Sequence, residues 1–193
     1  MVKVVGLMGS PRKGGNTDML LDRALEGARE AGGEVEKVTI TDLDLKGCQE
    51  CCACSETGKC VIMDDMQRIY TLLEELDALI VASPVFFSGL SSQTKMVVDR
   101  CQAIWARKYL LKRRMEGRRL GAFLSVGGRK DSDFSNALSV VKVFFLNIDV
   151  EFFDSLTVPG VDGKGAIMER KEVLDSAYRM GRDLVEAFQV TSP

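Results

Sequence analysis

Apolar and polar residues follow two rhythms along this chain, and the switches between them mark out its elements. Lys3 to Gly9 (KVVGLMG) is a short, nearly continuous apolar run ending in glycine, the pattern of a strand buried on both faces of a parallel sheet. After the turn-rich SPRKGGN, Leu21, Ala24, Leu25 and Ala28 recur at helical spacing until Gly32 and Gly33 end the pattern. EVEKVTITDL, from Glu34, alternates as a second strand, so the chain opens as a β-α-β unit. A cysteine-rich stretch follows, then a helix from about Asp64 to Glu75 with Met66, Ile69, Tyr70 and Leu73 on one face, and the strand ALIVAS. Helix QTKMVVDRCQAIW, strand RLGAFLSVGG, helix FSNALSVVKVFFLN, strand DVEFFDSLTV and a closing helix from about Glu169 to Phe188 complete the alternation.

Strands alternating with helices predict an open parallel sheet with helices on both faces, because crossover connections are right-handed and put the helices outside. The five strands suit the 2-1-3-4-5 order of the flavodoxin-like α/β fold, with the cysteine-rich stretch, 47–60, as a loop after strand two. The length of 193 residues suits one domain over 1–193. Ligands of such sheets bind at the carboxyl ends of the strands near the switch point, which directs attention to the loops after strands one, three and four.

Composition narrows the chemistry. The apolar runs are too short to span a bilayer, and the amino terminus, MVKVVGLMGSPR, lacks a small-residue cleavage site, so a cytoplasmic protein with no membrane segment is expected. Thiols stay reduced there, so clustered cysteines point to metal binding or redox work rather than a disulfide framework. The net charge of −2 implies no nucleic-acid partner. Histidine is absent, which excludes Ser-His-Asp and Cys-His nucleophilic schemes and HExxH zinc sites. One local excess remains: Trp105 to Arg119 holds seven of the 26 basic residues, a solvated loop, an oligomer contact, or an attraction for an acidic donor or the phosphates of NADPH.

GSPRKGGNT, Gly9 to Thr17, offers hydroxyls, a guanidinium, an amide and two glycines, then feeds a helix amino terminus, a ready site for a phosphate. Neither GxxxxGK[ST] nor GxGxxG is present, which disfavours a P-loop NTPase and a dinucleotide fingerprint and points to one monophosphate. SPVFFSGLSSQTK, Ser83 to Lys95, sets two adjacent phenylalanines in a loop beyond a buried strand, an apolar shelf for a flat ring. The Gly127-Gly128 pair at the end of strand four would let such a ring lie against backbone.

GCQECCACSETGKC, 47–60, carries five of the six cysteines, four of them as CxxCxxCxxxxxC. Cys48, Cys51 and Cys54 can converge on one small inorganic core, and Cys60 lies far enough along to fold back as a fourth thiolate. This spacing predicts a [4Fe-4S] cluster, with zinc or unmetallated thiols as alternatives. Cys52 and Cys101 read as packed thiols.

These motifs together carry a resemblance over almost the whole chain. GSPRKGGNT, SPVFFSGLSSQTKMVVDR and Gly127-Gly128 resemble the NADPH-dependent FMN reductase family, and with CxxCxxCxxxxxC the chain is similar to archaeal-type iron-sulfur flavoproteins. The resemblance implies FMN, with Ser10, Arg12, Asn16 and Thr17 around its phosphate. Pro84, Val85, Phe86, Phe87 and Gly89 would line the isoalloxazine, with Gly127 and Gly128 close by; Phe86 stands where many relatives carry tyrosine. No side chain is assigned a catalytic role, since the cofactors carry the chemistry of coupling two-electron to one-electron transfer. The alternatives are an FMN-only NAD(P)H-dependent oxidoreductase reducing flavin or quinone, and a zinc-bearing non-enzymatic binding module. Expected partners are a ferredoxin-like protein or NAD(P)H, and further copies of the chain in a dimer or tetramer.

Overall fold

A computed structural model describes residues 1–190; residues 191–193, the end of the expected 1–193 domain, lie outside them. Its parallel sheet runs β2 (Gly33–Thr39), β1 (Val2–Met8), β3 (Ala78–Phe86), β5 (Leu120–Val126), β6 (Glu151–Val158). A two-residue strand, β4 (Gly89–Leu90), pairs antiparallel with the end of β3. The long strands therefore keep the flavodoxin-like 2-1-3-4-5 order. Alternate residues feed two cores. Val4, Ile80 and Ala122 face α1 (Asn16–Glu30) and the last helix, α7 (Lys171–Val190). Val5, Leu79, Val81 and Phe123 face α3 (Met66–Glu75), α4 (Ser92–Arg100), α5 (Gln102–Tyr109) and α6 (Ser135–Asn147). The remaining α-helix, α2 (Cys54–Thr57), is a single turn inside the cysteine loop, and two short 3-10 turns, Ile40–Asp42 and Ala166–Glu169, complete the described residues.

Two local differences from the sequence reading bear on the sites. QTKMVVDRCQAIW forms two helices, because the chain turns at Cys101, whose carbonyl accepts from both Ile104 N (2.9 Å) and Trp105 N (3.0 Å). Strand β3 runs on through Phe86, whereas its pairing with β1 stops at Met8–Ala82 and that with β5 at Pro84–Val126. Pro84, which has no N–H to donate, thus sits beyond the reach of β1. Past it, Phe87 and Ser88 take φ of 49° and 59°, the left-handed pair of a two-residue hairpin loop usually filled by Asn-Gly.

Helices α1 and α7 touch at two glycines. A Cβ at Gly27 would strike the Tyr178 carbonyl, and one at Gly181 the Ala24 carbonyl. Glycine inside a helix is about 1 kcal/mol worse than alanine, so only close backbone approach favours it here. Gly181→Ala is expected to destabilise the protein by about 1–3 kcal/mol, as overpacking does, despite the gain in helix propensity. Urea unfolding with an unchanged slope measures this.

Candidate functional site

The carboxyl ends of β1, β3, β5 and β6 frame a cleft of about 550 Å³ of open space. Eight of the eleven residues singled out for a flavin border it: Ser10, Arg12, Asn16, Thr17, Pro84, Val85, Phe86 and Gly128. Phe87, Gly89 and Gly127 stand outside its lining: Phe87 is wholly exposed at the hairpin tip, Gly89 lies in β4, and Gly127 is packed on Ser132 and Phe134. The loop after β6, which the sequence reading passed over, supplies Val161 and Asp162. Its signal was the run PGVDGKG, where Gly160 and Gly165 adopt φ of 72° and 82°.

At the head of α1 the cap residue, Gly15, is extended and contributes no side-chain cap, leaving the first-turn N–H groups directed out of the helix. The Asn16 amide is already occupied: Nδ2 donates to Gly163 O (2.8 Å) and Oδ1 accepts from Ile167 N (3.1 Å). Asn16 therefore ties the 161–167 loop to α1, and what it offers a ligand is its backbone. Asp18, a carboxylate in this first turn, would repel an anion, but it pairs with Lys37 Nζ at 2.5 Å. Burial alone would lower the Lys37 pKa; Asp18 and Asp22 outweigh it and hold it above its ordinary value. The Arg12 guanidinium stays exposed, with Nη1 donating to Asp162 O (3.2 Å).

A chain of buried hydroxyls lies among the strand ends that form the cleft. Ser125 Oγ donates to Ser83 O (2.8 Å), Ser91 N to Ser83 Oγ (3.0 Å), and Ser91 Oγ to Gly9 O (2.6 Å). Thr94 packs so closely that a Cβ at Gly9 would collide with its Oγ1. These bonds lock the ends of β1, β3 and β5 together, so the loops above start from fixed points.

The second candidate site is a cavity bordered by Cys48, Cys51, Cys54 and Cys60, with Cys52 also at its edge. Burial pushes the Cys54 thiol up, and the neighbouring Cys60, Cys48 and Cys51 add to the shift. Among the described residues, no three His, Cys, Asp or Glu groups stand close enough together to hold a single metal ion. Cys101 is wholly buried in the core, which raises its thiol far above the ordinary range and keeps it protonated. Arg100, only 1% exposed, reaches the same cavity from the end of α4. Its Nη1 donates to Lys46 O (2.7 Å) and Asp64 Oδ2 (2.6 Å), and its Nη2 to Ile62 O (3.3 Å) and Asp64 Oδ1 (3.1 Å). It thereby grips the chain just before Cys48 and just after Cys60. Its Nε–H is buried without a partner.

Comparison with known proteins decides the family. The model of the NADPH-dependent FMN reductase family matches residues 2–158. An iron-sulfur flavoprotein of Methanocaldococcus jannaschii is 35% identical over 145 residues, 75% of this chain and 72% of its own. One from Archaeoglobus fulgidus is 31% identical over 186 residues, 88% and 93% of the two chains. The chain belongs to the NADPH-dependent FMN reductase family, among its iron-sulfur flavoproteins. Membership makes it a flavin-dependent oxidoreductase and sets aside the non-enzymatic zinc module. Among solved structures, an NAD(P)H:quinone oxidoreductase from Methanothermobacter marburgensis shares the fold, with TM-score 0.73 at 19% identity over 95% of this chain and 98% of that one. No helix of the described residues is long and apolar enough to cross a membrane.

In this family member the basic segment is divided: Lys112, Arg113 and Arg114 are exposed, whereas others of its basic residues make structural contacts. Lys108 is buried against Asp149 (2.6 Å), Arg107 pairs with Glu74 (2.5 Å), and Arg119 donates to the Glu74 and Leu76 carbonyls at the end of α3. The Arg100–Asp64 pair, by contrast, was missed, although an arginine on the inward side of KMVVDR is its sequence signal. Burial would raise the Asp64 carboxyl, but Arg100 and the Lys46 and Met66 N–H groups outweigh it and hold it below the ordinary range. A depressed carboxyl contributes stability that is full above its unfolded pKa, near 4, and is lost as pH falls through the folded value. The stability gap between the native protein and Asp64→Asn is therefore expected to stay constant from neutral pH to about 4 and to shrink below it. Denaturant midpoints across that range measure it.

Proposed function

We propose that this chain holds FMN in the cleft and a [4Fe-4S] cluster in the cysteine cavity, and couples two-electron exchange at the one to one-electron transfer at the other. The observation that supports the reading is that Cys48, Cys51, Cys54 and Cys60 all border one cavity, beside a buried arginine N–H that lacks a partner. Thiolates at two-residue gaps are the usual ligands of such clusters. The left-handed Cys52 (φ 58°) followed by right-handed Ala53 is the alternation that turns successive N–H groups toward an anion. The FMN phosphate would rest on the head of α1 with Ser10, Arg12 and Thr17, and the ring against Pro84, Val85, Phe86 and Gly128. Flavin supplies hydride or two-electron exchange and the cluster single electrons; the chain binds, orients and shields them. The donor or acceptor is a ferredoxin-like protein or NAD(P)H, for which Lys164, beside Gly14 in the loop after β1, provides positive charge. The site of action is the cytoplasm, where the thiols remain reduced.

An FMN-only NAD(P)H-dependent oxidoreductase is the second reading, favoured by the lack of a close ligand group among the described residues. Anaerobic purification separates the two. The protein is expected to carry about four iron and four sulfide per FMN. Cys48→Ala with Cys51→Ala should lose the iron and keep the flavin, whereas Arg12→Ala with Thr17→Ala should weaken flavin retention while the fold survives. Flavin without iron or sulfide establishes the second reading.

The active form we propose is a homo-oligomer, dimer or tetramer. Phe87 is wholly exposed, and Val143 and Leu146 on α6 are 54% and 62% exposed. Gly89 in the hairpin lies beside Asn136 at the start of α6, the helix that carries Val143 and Leu146. Cleft and cavity share no lining residue, and a symmetric pair can bring one copy's cluster toward the other's flavin. Light scattering should give a dimer or tetramer, and Phe87→Lys with Val143→Lys should lower the mass to the monomer. A monomeric native protein overturns this assembly.

A further inference from the structure

We infer that Arg100 donates its Nε–H to a sulfur of the cysteine cavity, on the Cys60 side, and that this bond tunes the cluster; the inference rests on the reading above.

A guanidinium carries five N–H groups in a rigid planar fork. Four of them are accounted for, two on the Asp64 carboxylate and one each on the Lys46 and Ile62 carbonyls. Those four acceptors fix the plane, so the fifth N–H cannot turn to find a partner elsewhere. A buried donor left unpaired is a substantial penalty, larger when it belongs to a charged group. The polar side chains that share the cavity divide by depth: Gln49, Glu50 and Gln102 are exposed, whereas Cys54, Ser55 and Cys60 are half-buried, and of these three Cys60 is the one next to the chain that Arg100 holds. Cys60 also lies two residues before Ile62, whose carbonyl Arg100 already grips. Sulfur on that wall, thiolate or inorganic sulfide, is the acceptor that fits.

Asp64 already balances the arginine's charge. What Arg100 adds is therefore direction, one N–H held in place, more than net positive charge. Hydrogen bonds to the sulfurs are among the determinants of a cluster's potential, and they favour the more negative reduced state. Arg100 is thus a positioning residue for the cluster, distinct from its four ligands.

The test uses anaerobically purified protein carrying its cluster, with and without ¹⁵N-arginine. Pulsed EPR of the reduced cluster should show a nitrogen coupling that changes with the isotope. In Arg100→Lys, which keeps the charge and lacks Nε, that coupling should vanish, and the oxidised-to-reduced equilibrium should shift about tenfold toward oxidised, about 59 mV for one electron. If Arg100→Lys does not fold, Arg100→Met with Asp64→Asn leaves no lone buried charge and should show the same losses. A cluster whose spectrum is blind to the isotope, or an unmoved potential in the arginine variants, overturns the inference while leaving the cluster intact. Protein without iron and sulfide overturns the inference and the two-cofactor reading together.

Discussion

A guanidinium and a carboxylate, each almost wholly withdrawn from water, hold the cysteine loop in shape. Arg100 and Asp64 are both 1% exposed at their side chains. Such a pair is weak as a source of stability, because removing two charges from water offsets most of their attraction. Its value here is geometric. The two ends of a long loop are brought to one point by a fork that also bonds the Lys46 and Ile62 carbonyls, while Asp64 accepts from Lys46 N (2.9 Å) and Met66 N (3.1 Å). Tyr70 fastens the arrangement to α3 by donating its hydroxyl to Arg100 O (2.6 Å). Five cysteines on an untethered loop would sample many arrangements; closed in this way, four of the CxxCxxCxxxxxC set border one cavity.

The cleft follows a similar logic with neutral groups. Its walls are loops, and loops wander unless their roots are fixed. Buried serines at the ends of β3 and β5 and the start of α4 fix them through a short hydroxyl chain that reaches the Gly9 carbonyl. Asn16 performs the equivalent task for the loop after β6. In both sites, side-chain-to-backbone bonds between residues distant in sequence set the position of what a ligand would touch. The electrostatics agree: Lys37 masks Asp18 so that the head of α1 keeps its positive character.

Much of this was legible beforehand because it rests on periodicity and on motifs that are local in sequence. The buried strands announce themselves as apolar runs, the parallel sheet follows from their alternation with helices, and the loops of β1 and β3 carry their unusual residues consecutively. The hidden part is long-range. Nothing local says that Asn16 will turn toward Gly163, or that the arginine of KMVVDR will reach across to Asp64. Phe86 and Phe87 look equivalent as letters, yet a two-residue hairpin sends one to the cleft and the other into solvent. The loop after β6 escaped notice because its contribution comes from shape, supplied by glycines, rather than from chemically distinctive side chains.

The unequal lengths of β1 and β3 have a consequence of their own. Pro84, Val85 and Phe86 overhang the last rung that β3 shares with β1, Met8–Ala82. The sheet ends there in a step, and the apolar wall of the cleft is built on the overhang. Side chains on this ledge can be exchanged while every rung between the two strands is kept. Selectivity is therefore a property of the sheet's margin, adjustable independently of the folding core that supports it.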